Sequence, residues 1–436
     1  MRWEPLLPLK TTLRAAVLAA AALAALPAGF VLFDAAMRGS RADTHSFPSY
    51  YTASKLLVSG APLDRLEDRA WFREETRKLG FAEPDVFWGN PPPAALVMAP
   101  LAYFFSPATA RRIWTWASVV FWLAGVELMR RSVLRRLAGS MHVSAALGFG
   151  SFAALFAPVH ANLELGQIYL LLFFVQTAAC AFWLDGRSFL AGVAAGVLLA
   201  LKGYGVLFLG LAALMRDRPF VKGAVLSFGA LAGLTWAFTG SKPWIDFFSI
   251  HFTDPRFSDA GTPVLQTLKS LFWSLGGLVS SSPAAPSVPR SLPPAIFALV
   301  SGALQLLLLT WLATFRKGAP GSAPPKPLAK AGPSAFALSA CIAASLLFSP
   351  RGTNHAYCFS LTALGLMLPS LGNLGRASAL VTASILLAFP FPFRERPITS
   401  AEDLFVGYPR FWGALVLLAA ALYSERASAR TESSPD

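Results

Sequence analysis

Charge is scarce in this chain, and that scarcity excludes most soluble folds. Asp, Glu, Lys and Arg make up 14% of its 436 residues and apolar residues 55%, whereas an average soluble domain is about 25% charged. Cysteine is scarce too. Cys180, Cys341 and Cys358 all lie in apolar runs at no ligand spacing, which excludes a disulfide framework and a cysteine metal site. A long basic block is also missing. The net charge is +14, yet the densest basic stretch is "MRRSVLRR" (129–136), and the other Lys and Arg sit in short connections between apolar runs. That is the pattern of loops under the positive-inside rule, so no nucleic-acid partner is expected and membrane lipid is.

What the chain has in abundance is apolar sequence in runs of about 20 residues, the length of a membrane-crossing helix rather than a barrel strand. Candidate spans fall at about 13–33, 110–129, 141–159, 168–184, 188–201, 203–215, 221–239, 293–315, 334–349, 356–372, 377–393 and 406–424. The fold class expected is therefore an all-α polytopic membrane protein, a bundle of about twelve transmembrane helices, because lipid leaves only helices or closed barrels with satisfied backbones. The first run is read as a retained span, although small residues in "ALPAG" resemble a cleavage site. The whole chain, 1–436, reads as one integral membrane domain with a C-terminal tail at 425–436.

Two interruptions are long: 34–109 after the first span and 240–292 after the seventh. An even number of spans places both termini in the cytoplasm and both long loops on the extracytoplasmic side of the plasma (inner) membrane. The stretch "LAGVAAGVLLALKGYGVLFLGLAALM" (190–215) decides the parity. Read as two short helices meeting at "LKGYG", it leaves only Lys202, Arg351, Arg394 and Arg396 in the short outer connections and gathers far more Lys and Arg inside. Each half is too short to cross alone and must meet the other inside protein or at a wet cavity, where Gly203 and Gly205 allow a broken backbone. Lys202 sits at that break, and an intramembrane lysine marks function unless it snorkels. "WGNPPPAALVMAPLAYFF" (88–105) is too short and too Pro-rich to span, so it reads as a re-entrant or interfacial helix opened by its prolines.

This topology gathers four polar stretches on the outer side. They are "ADTHSFPSYY" with Asp43 and Tyr51; "ANLELGQIY" with Glu164 and Gln167; the Lys202 break; and "SPRGTNHAY" with Arg351, Asn354 and His355. A carboxylate that can take a hydroxyl proton, an imidazole and two cations that can hold a phosphate leaving group are the components of group transfer at an anionic centre. A lone outer-loop histidine, by itself, is more often simply solvated.

The ordered series "FPSYYTASKLLVSGAPL", "NPPPAALVMAPLA", "LELGQIYLLL", "FLAGVAAGVLLALKGYGVLFLGLAAL" and "SPRGTNHAYCFSL", from about 40 to 370, resembles the glycosyltransferase family 87 enzymes. These are polyprenyl-phosphate-mannose-dependent mannosyltransferases of the multi-spanning C-type glycosyltransferase fold. The resemblance implies a hexosyltransferase with a polyprenyl-phosphate sugar donor and a lipid-linked or cell-envelope glycan acceptor. Lys202 matches the family's lysine after a Gly-rich helix, Gln167 its Gly-Gln motif and His355 the histidine of its Ser-Pro…His motif. Pro91 and Pro92 match its Pro-Pro pair, with Asn90 where an aromatic residue is common.

One departure matters. The family's catalytic Asp, directly before Phe-x-x-Tyr, is here Ser46, and a serine is no base unless another group deprotonates it. Asp43 or Asp85 must then supply the base, with Asp43 the first choice, or catalysis is lost. By the same reading Lys202 and Arg351 hold the donor phosphate, and Gln167, Glu164, Tyr51, Asn90 and Asn354 line the substrate. No cofactor is expected, and the sequence leaves a divalent-metal requirement open. The competing function is a lipid or solute transporter with Lys202 and Glu164 as coupling charges, against which stands the absence of repeated halves with matching breaks.

Overall fold

The computed structural model describes residues 6–61, 63–83, 85–87, 89–133, 141–253, 265–279, 294–315, 332–349, 352–368, 374–388 and 400–433. These form helices α1 (Leu6–Gly39), α2 (Phe47–Val58), α3 (Arg69–Lys78), α4 (Ala99–Phe104), α5 (Pro107–Ser132), α6 (Met141–Ala154), α7 (Ala157–Leu165), α8 (Tyr169–Leu184), α9 (Ser188–Lys202) and α10 (Val206–Leu214). They continue with α11 (Arg218–Thr239), α12 (Lys242–Thr253), α13 (Leu268–Val279), α14 (Pro294–Phe315), α15 (Ala335–Leu347), α16 (Ser360–Met367), α17 (Leu374–Ala388), α18 (Ala401–Gly407) and α19 (Pro409–Ser433). Short 3₁₀ turns occupy Pro92–Leu96 and Asn354–Phe359. The chain is a helical membrane protein. Among the described residues three helical stretches are long and apolar enough to cross a bilayer, Leu18–Gly39, Arg218–Thr239 and Ile296–Thr314, and a bent pair, α6 with α7, makes a fourth.

Helix ends follow local chemistry. Asp68 caps α3 by accepting from the amides of Ala70 and Trp71, Asp217 caps α11 through Phe220 N–H, and Ser400 with Asp403 forms a reciprocal capping box on α18. Each satisfies amides that a helix start leaves without partners. The stretch expected as one span at 141–159 instead breaks at Leu155–Phe156, and α6 and α7 meet at 48°. The cause is Pro158, which opens α7 in its first turn but has no amide to continue the preceding helix.

Packing is close where side chains are small. Along the α9–α11 crossing, a Cβ on Gly192 would lie 2.0 Å from the Phe220 carbonyl oxygen, and one on Gly223 would lie 2.2 Å from that of Phe189. This is the small-residue approach that membrane helices use in place of a hydrophobic drive. α15 and α16 are buried on nearly every side, whereas Leu26 and Phe30 of α1 are 75% and 72% exposed, as suits a lipid-facing edge. Between the inner helices, Thr177 and Thr362 hydroxyls meet at 2.8 Å and Gln176 donates to the Phe359 carbonyl at 3.2 Å.

The Pro-rich segment folds as two short pieces, the 3₁₀ turn and α4, laid against α2. Ser54 donates to the Ala95 carbonyl at 2.6 Å, Lys55 to that of Ala102 at 3.0 Å and Tyr51 to that of Phe105 at 2.7 Å. Three successive prolines hold the entry extended, with Pro91 at ψ 146°, so no longer helix can start there.

Candidate functional site

Five elements meet at one end of the bundle: the start of α2, the Gly89–Asn90 turn, the α7–α8 turn, the α9–α10 break and the 3₁₀ turn at Asn354–Phe359. The break is made by Gly203, whose φ of +78° closes α9 at Lys202, a left-handed cap that glycine adopts without a Cβ penalty. Lys202 donates from Nζ to Asn90 Oδ1 and lies 5.5 Å from the Tyr50 ring centroid and 5.4 Å from that of Tyr169. All three of these partners are neutral groups, and they position the ammonium.

From Asn90 a continuous run of contacts reaches a carboxylate. Tyr50 OH donates to Asn90 Oδ1 at 3.3 Å or to Gln167 Oε1 at 3.2 Å, Gln167 Nε2 donates to Ser46 Oγ at 2.6 Å, and the Ser46 amide donates to Asp85 Oδ2 at 2.6 Å. Asp85 is also within electrostatic reach of the Tyr50 hydroxyl. The Ser46 backbone, at φ 81° and ψ −57°, forms a γ-turn closed by Phe47 N–H to His45 O at 3.2 Å. This strained geometry is rare away from functional sites, and it turns the Ser46 amide toward Asp85.

The α7–α8 turn is held from α5. Arg111 donates from Nη2 to the carbonyls of Leu163 (3.1 Å) and Glu164 (2.6 Å), the last carbonyls of α7, and Trp114 donates to that of Gly166 at 3.1 Å. Gly166 has φ +65°, and a Cβ there would lie 1.7 Å from Arg111 Nη1. Only glycine therefore lets Gln167 follow directly. His355 stacks on Tyr169 with ring centroids 4.9 Å apart, and its Nε2 lies 2.5 Å from Thr353 Oγ1. Asn162 Nδ2 donates to the His355 carbonyl at 2.8 Å, tying this turn to α7. Arg410, at the start of α19 and 2% exposed, lies within electrostatic reach of His355.

Of the residues singled out in the sequence, Asp85, Asn90, Gln167, Lys202 and His355 come together. Asp43 is exposed and accepts from Ala82 N–H at 3.1 Å, with Arg111 within electrostatic reach. Tyr51 packs its hydroxyl on α4, and its neighbour Tyr50 takes the place in the cluster that sequence reasoning gave to Tyr51. The Glu164 side chain is half-exposed and 3.7 Å from Arg38, and it is the residue's carbonyl that works, accepting from Arg111 and from Thr44 Oγ1 at 2.8 Å. Asn354 opens the His355 turn with its Oδ1 buried. Arg351 lies outside the described residues. Tyr169, Asn162, Arg111 and Arg410 were not anticipated. For Asn162 a signal existed, a polar residue inside the quoted "ANLELGQIY"; for Arg410, far along the chain, none did. Among the described residues no group of three or more His, Cys, Asp or Glu could hold a metal ion.

The family model of glycosyltransferase family 87 matches residues 88–350, well over half the chain. No curated protein matches.

Proposed function

The chain belongs to glycosyltransferase family 87, and from that premise we propose that it transfers a hexose, mannose by family resemblance, from a polyprenyl-phosphate sugar to a lipid-linked or cell-envelope glycan. The supporting observation is the run Lys202–Asn90–Tyr50–Gln167–Ser46–Asp85, which joins a cation to a carboxylate through neutral groups alone. A phosphate leaving group needs the first and an attacking hydroxyl needs the second.

In this reading the acceptor oxygen attacks the anomeric carbon while the bond from that carbon to the phosphate oxygen breaks. Polyprenyl phosphate departs against Lys202, with Arg351 as second cation, and Asp85 takes the hydroxyl proton. Asp85 is preferred to Asp43 because it reaches the Ser46 amide, the position where the family carries its aspartate. His355, Asn354 and Gln167 orient the sugar or the acceptor. The bundle has about twelve spans in the plasma (inner) membrane, with this cluster on the extracytoplasmic side.

The test is incubation of the purified protein with labelled polyprenyl-phosphate mannose and an envelope glycolipid extract. Labelled glycolipid should form with wild-type protein and be lost in Asp85→Asn; label that stays on the donor with wild-type protein would sink the reading. The broken α9–α10 helix also suits a transporter, for which counterflow of unlabelled solute is the corresponding assay.

A further inference from the structure

Glu67 lies in the turn before α3, outside the stretch that the family model matches, and its surroundings are unusual for a carboxyl group. It is largely buried, and its Oε2 accepts from Gly89 N–H at 3.3 Å. Gly89, at φ +73°, is the residue directly before Asn90, the group to which Lys202 and Tyr50 both donate. Three sets of charges face Glu67. The Gly89 N–H and Arg69, at the start of α3, favour ionisation; Asp246 comes from α12, across the boundary between the two long loops, and opposes it. Asp246 is itself paired with Lys242 at 2.5 Å. Asp68, next in sequence, is occupied by capping α3 and by Arg65 at 2.6 Å. The strongest influence is burial, and the net result raises the Glu67 carboxyl to about 8.

We propose that Glu67 is a positioning residue for the transfer reaction: its carboxyl accepts from Gly89 N–H, holds the Gly89–Asn90 turn and thereby sets the place of the Lys202 ammonium. The inference rests on the proposed function for its catalytic consequence but not for its structural one. Ionised, Glu67 becomes a second carboxylate within electrostatic reach of Asp246, and its desolvation outweighs what the Gly89 N–H and Arg69 return. Relief comes from water entry and separation of the two loops, which loosens the turn that carries Asn90. A shift of about 1 Å in a positioning group is enough to cost up to roughly 100-fold in rate.

The experiment has two arms, each comparing wild type with Glu67→Gln, which keeps the acceptor oxygen and cannot ionise, and Glu67→Ala, which lacks the acceptor. In the first, backbone hydrogen exchange is followed over residues 85–97 at matched pH in detergent. The segment should exchange alike in wild type and Glu67→Gln below pH about 4.5, progressively faster in wild type as pH rises to about 8, and fast in Glu67→Ala throughout. Equal exchange in wild type and Glu67→Gln above that pH would overturn the proposal whether or not the protein transfers sugar. In the second arm, wild-type kcat should fall as pH rises through about 8, Glu67→Gln should stay flat, and Glu67→Ala should be slower by roughly 10- to 100-fold at every pH. A Glu67→Gln profile that falls with wild type would overturn the positioning role. A wild-type protein inactive with the donor would count against the proposed function, leaving the exchange arm to judge Glu67.

Discussion

Ser46 carries the sharpest local constraint in the cluster. Its positive φ is one of two among the described non-glycine residues, and holding such geometry costs on the order of 1–3 kcal/mol. The strain directs one amide at Asp85 and one hydroxyl at Gln167. An aspartate at 46 would put a carboxylate beside Gln167, so Ser46→Asp combined with Asp85→Asn should recover part of the turnover that Asp85→Asn alone loses, a loss of roughly 100- to 10,000-fold. A double variant as slow as the single one in steady-state turnover would separate position 46 from the proton transfer. At Lys202, replacement by Ala should raise the donor KM or abolish turnover with the fold retained, since the lysine's partners Asn90, Tyr50 and Tyr169 hold one another or pack in the core. Unchanged donor kinetics would make it a snorkelling side chain. Glu67 yields a prediction on stability. Its folded value of about 8 exceeds the ordinary 4.5, so the folded state binds this proton more tightly than the unfolded chain. The penalty for burying its charge is absent below about 4.5, grows as pH rises, and is complete above about 8. Thermal unfolding should show wild type losing stability relative to Glu67→Gln across that window.

The helix elements show which parts of the architecture a sequence can reveal. The break at "LKGYG" was legible because two glycines, a lysine and the charge balance of the later loops all point to one place, and α9 does end at Lys202 with α10 starting at Val206. The bend at Leu155–Phe156 carries no such mark, since "SFAALFAPVHANL" is apolar enough to read as one span and holds a single proline. Asp85 could be shortlisted but not ranked. It reaches Ser46 from 39 residues away only because a γ-turn aims the amide, and no pattern of residue types encodes that φ. The α9–α11 crossing offers an element-scale test. Gly196→Ala puts a Cβ 2.3 Å from the Ala224 carbonyl oxygen and should destabilise by about 1–3 kcal/mol as the helices are forced apart. Gly229→Ala and Gly233→Ala on α11, where a Cβ meets nothing within 4 Å, should leave thermal unfolding unchanged or slightly raised. Equal effects at all three sites would mean that the close approach is absent.

For the whole molecule, the proposed orientation places "ADTHSFPSYY" and "SPRGTNHAY" outside and the α10–α11 connection inside. Cys180, Cys341 and Cys358 are all buried, so the native chain gives a clean background for a membrane-impermeant thiol reagent. Exposed His45→Cys should label from outside intact cells and exposed Arg218→Cys only after lysis; the reverse pattern would invert the topology and move the cluster to the cytoplasm. The measurement that bears most directly on the account is the fate of a labelled polyprenyl-phosphate mannose in proteoliposomes that also contain envelope glycolipids. The expected result is labelled glycolipid and free polyprenyl phosphate appearing in equal amounts, both lost in Asp85→Asn. The contradicting result is donor that crosses the bilayer intact, at the same rate in wild type and Asp85→Asn, with no labelled glycolipid formed.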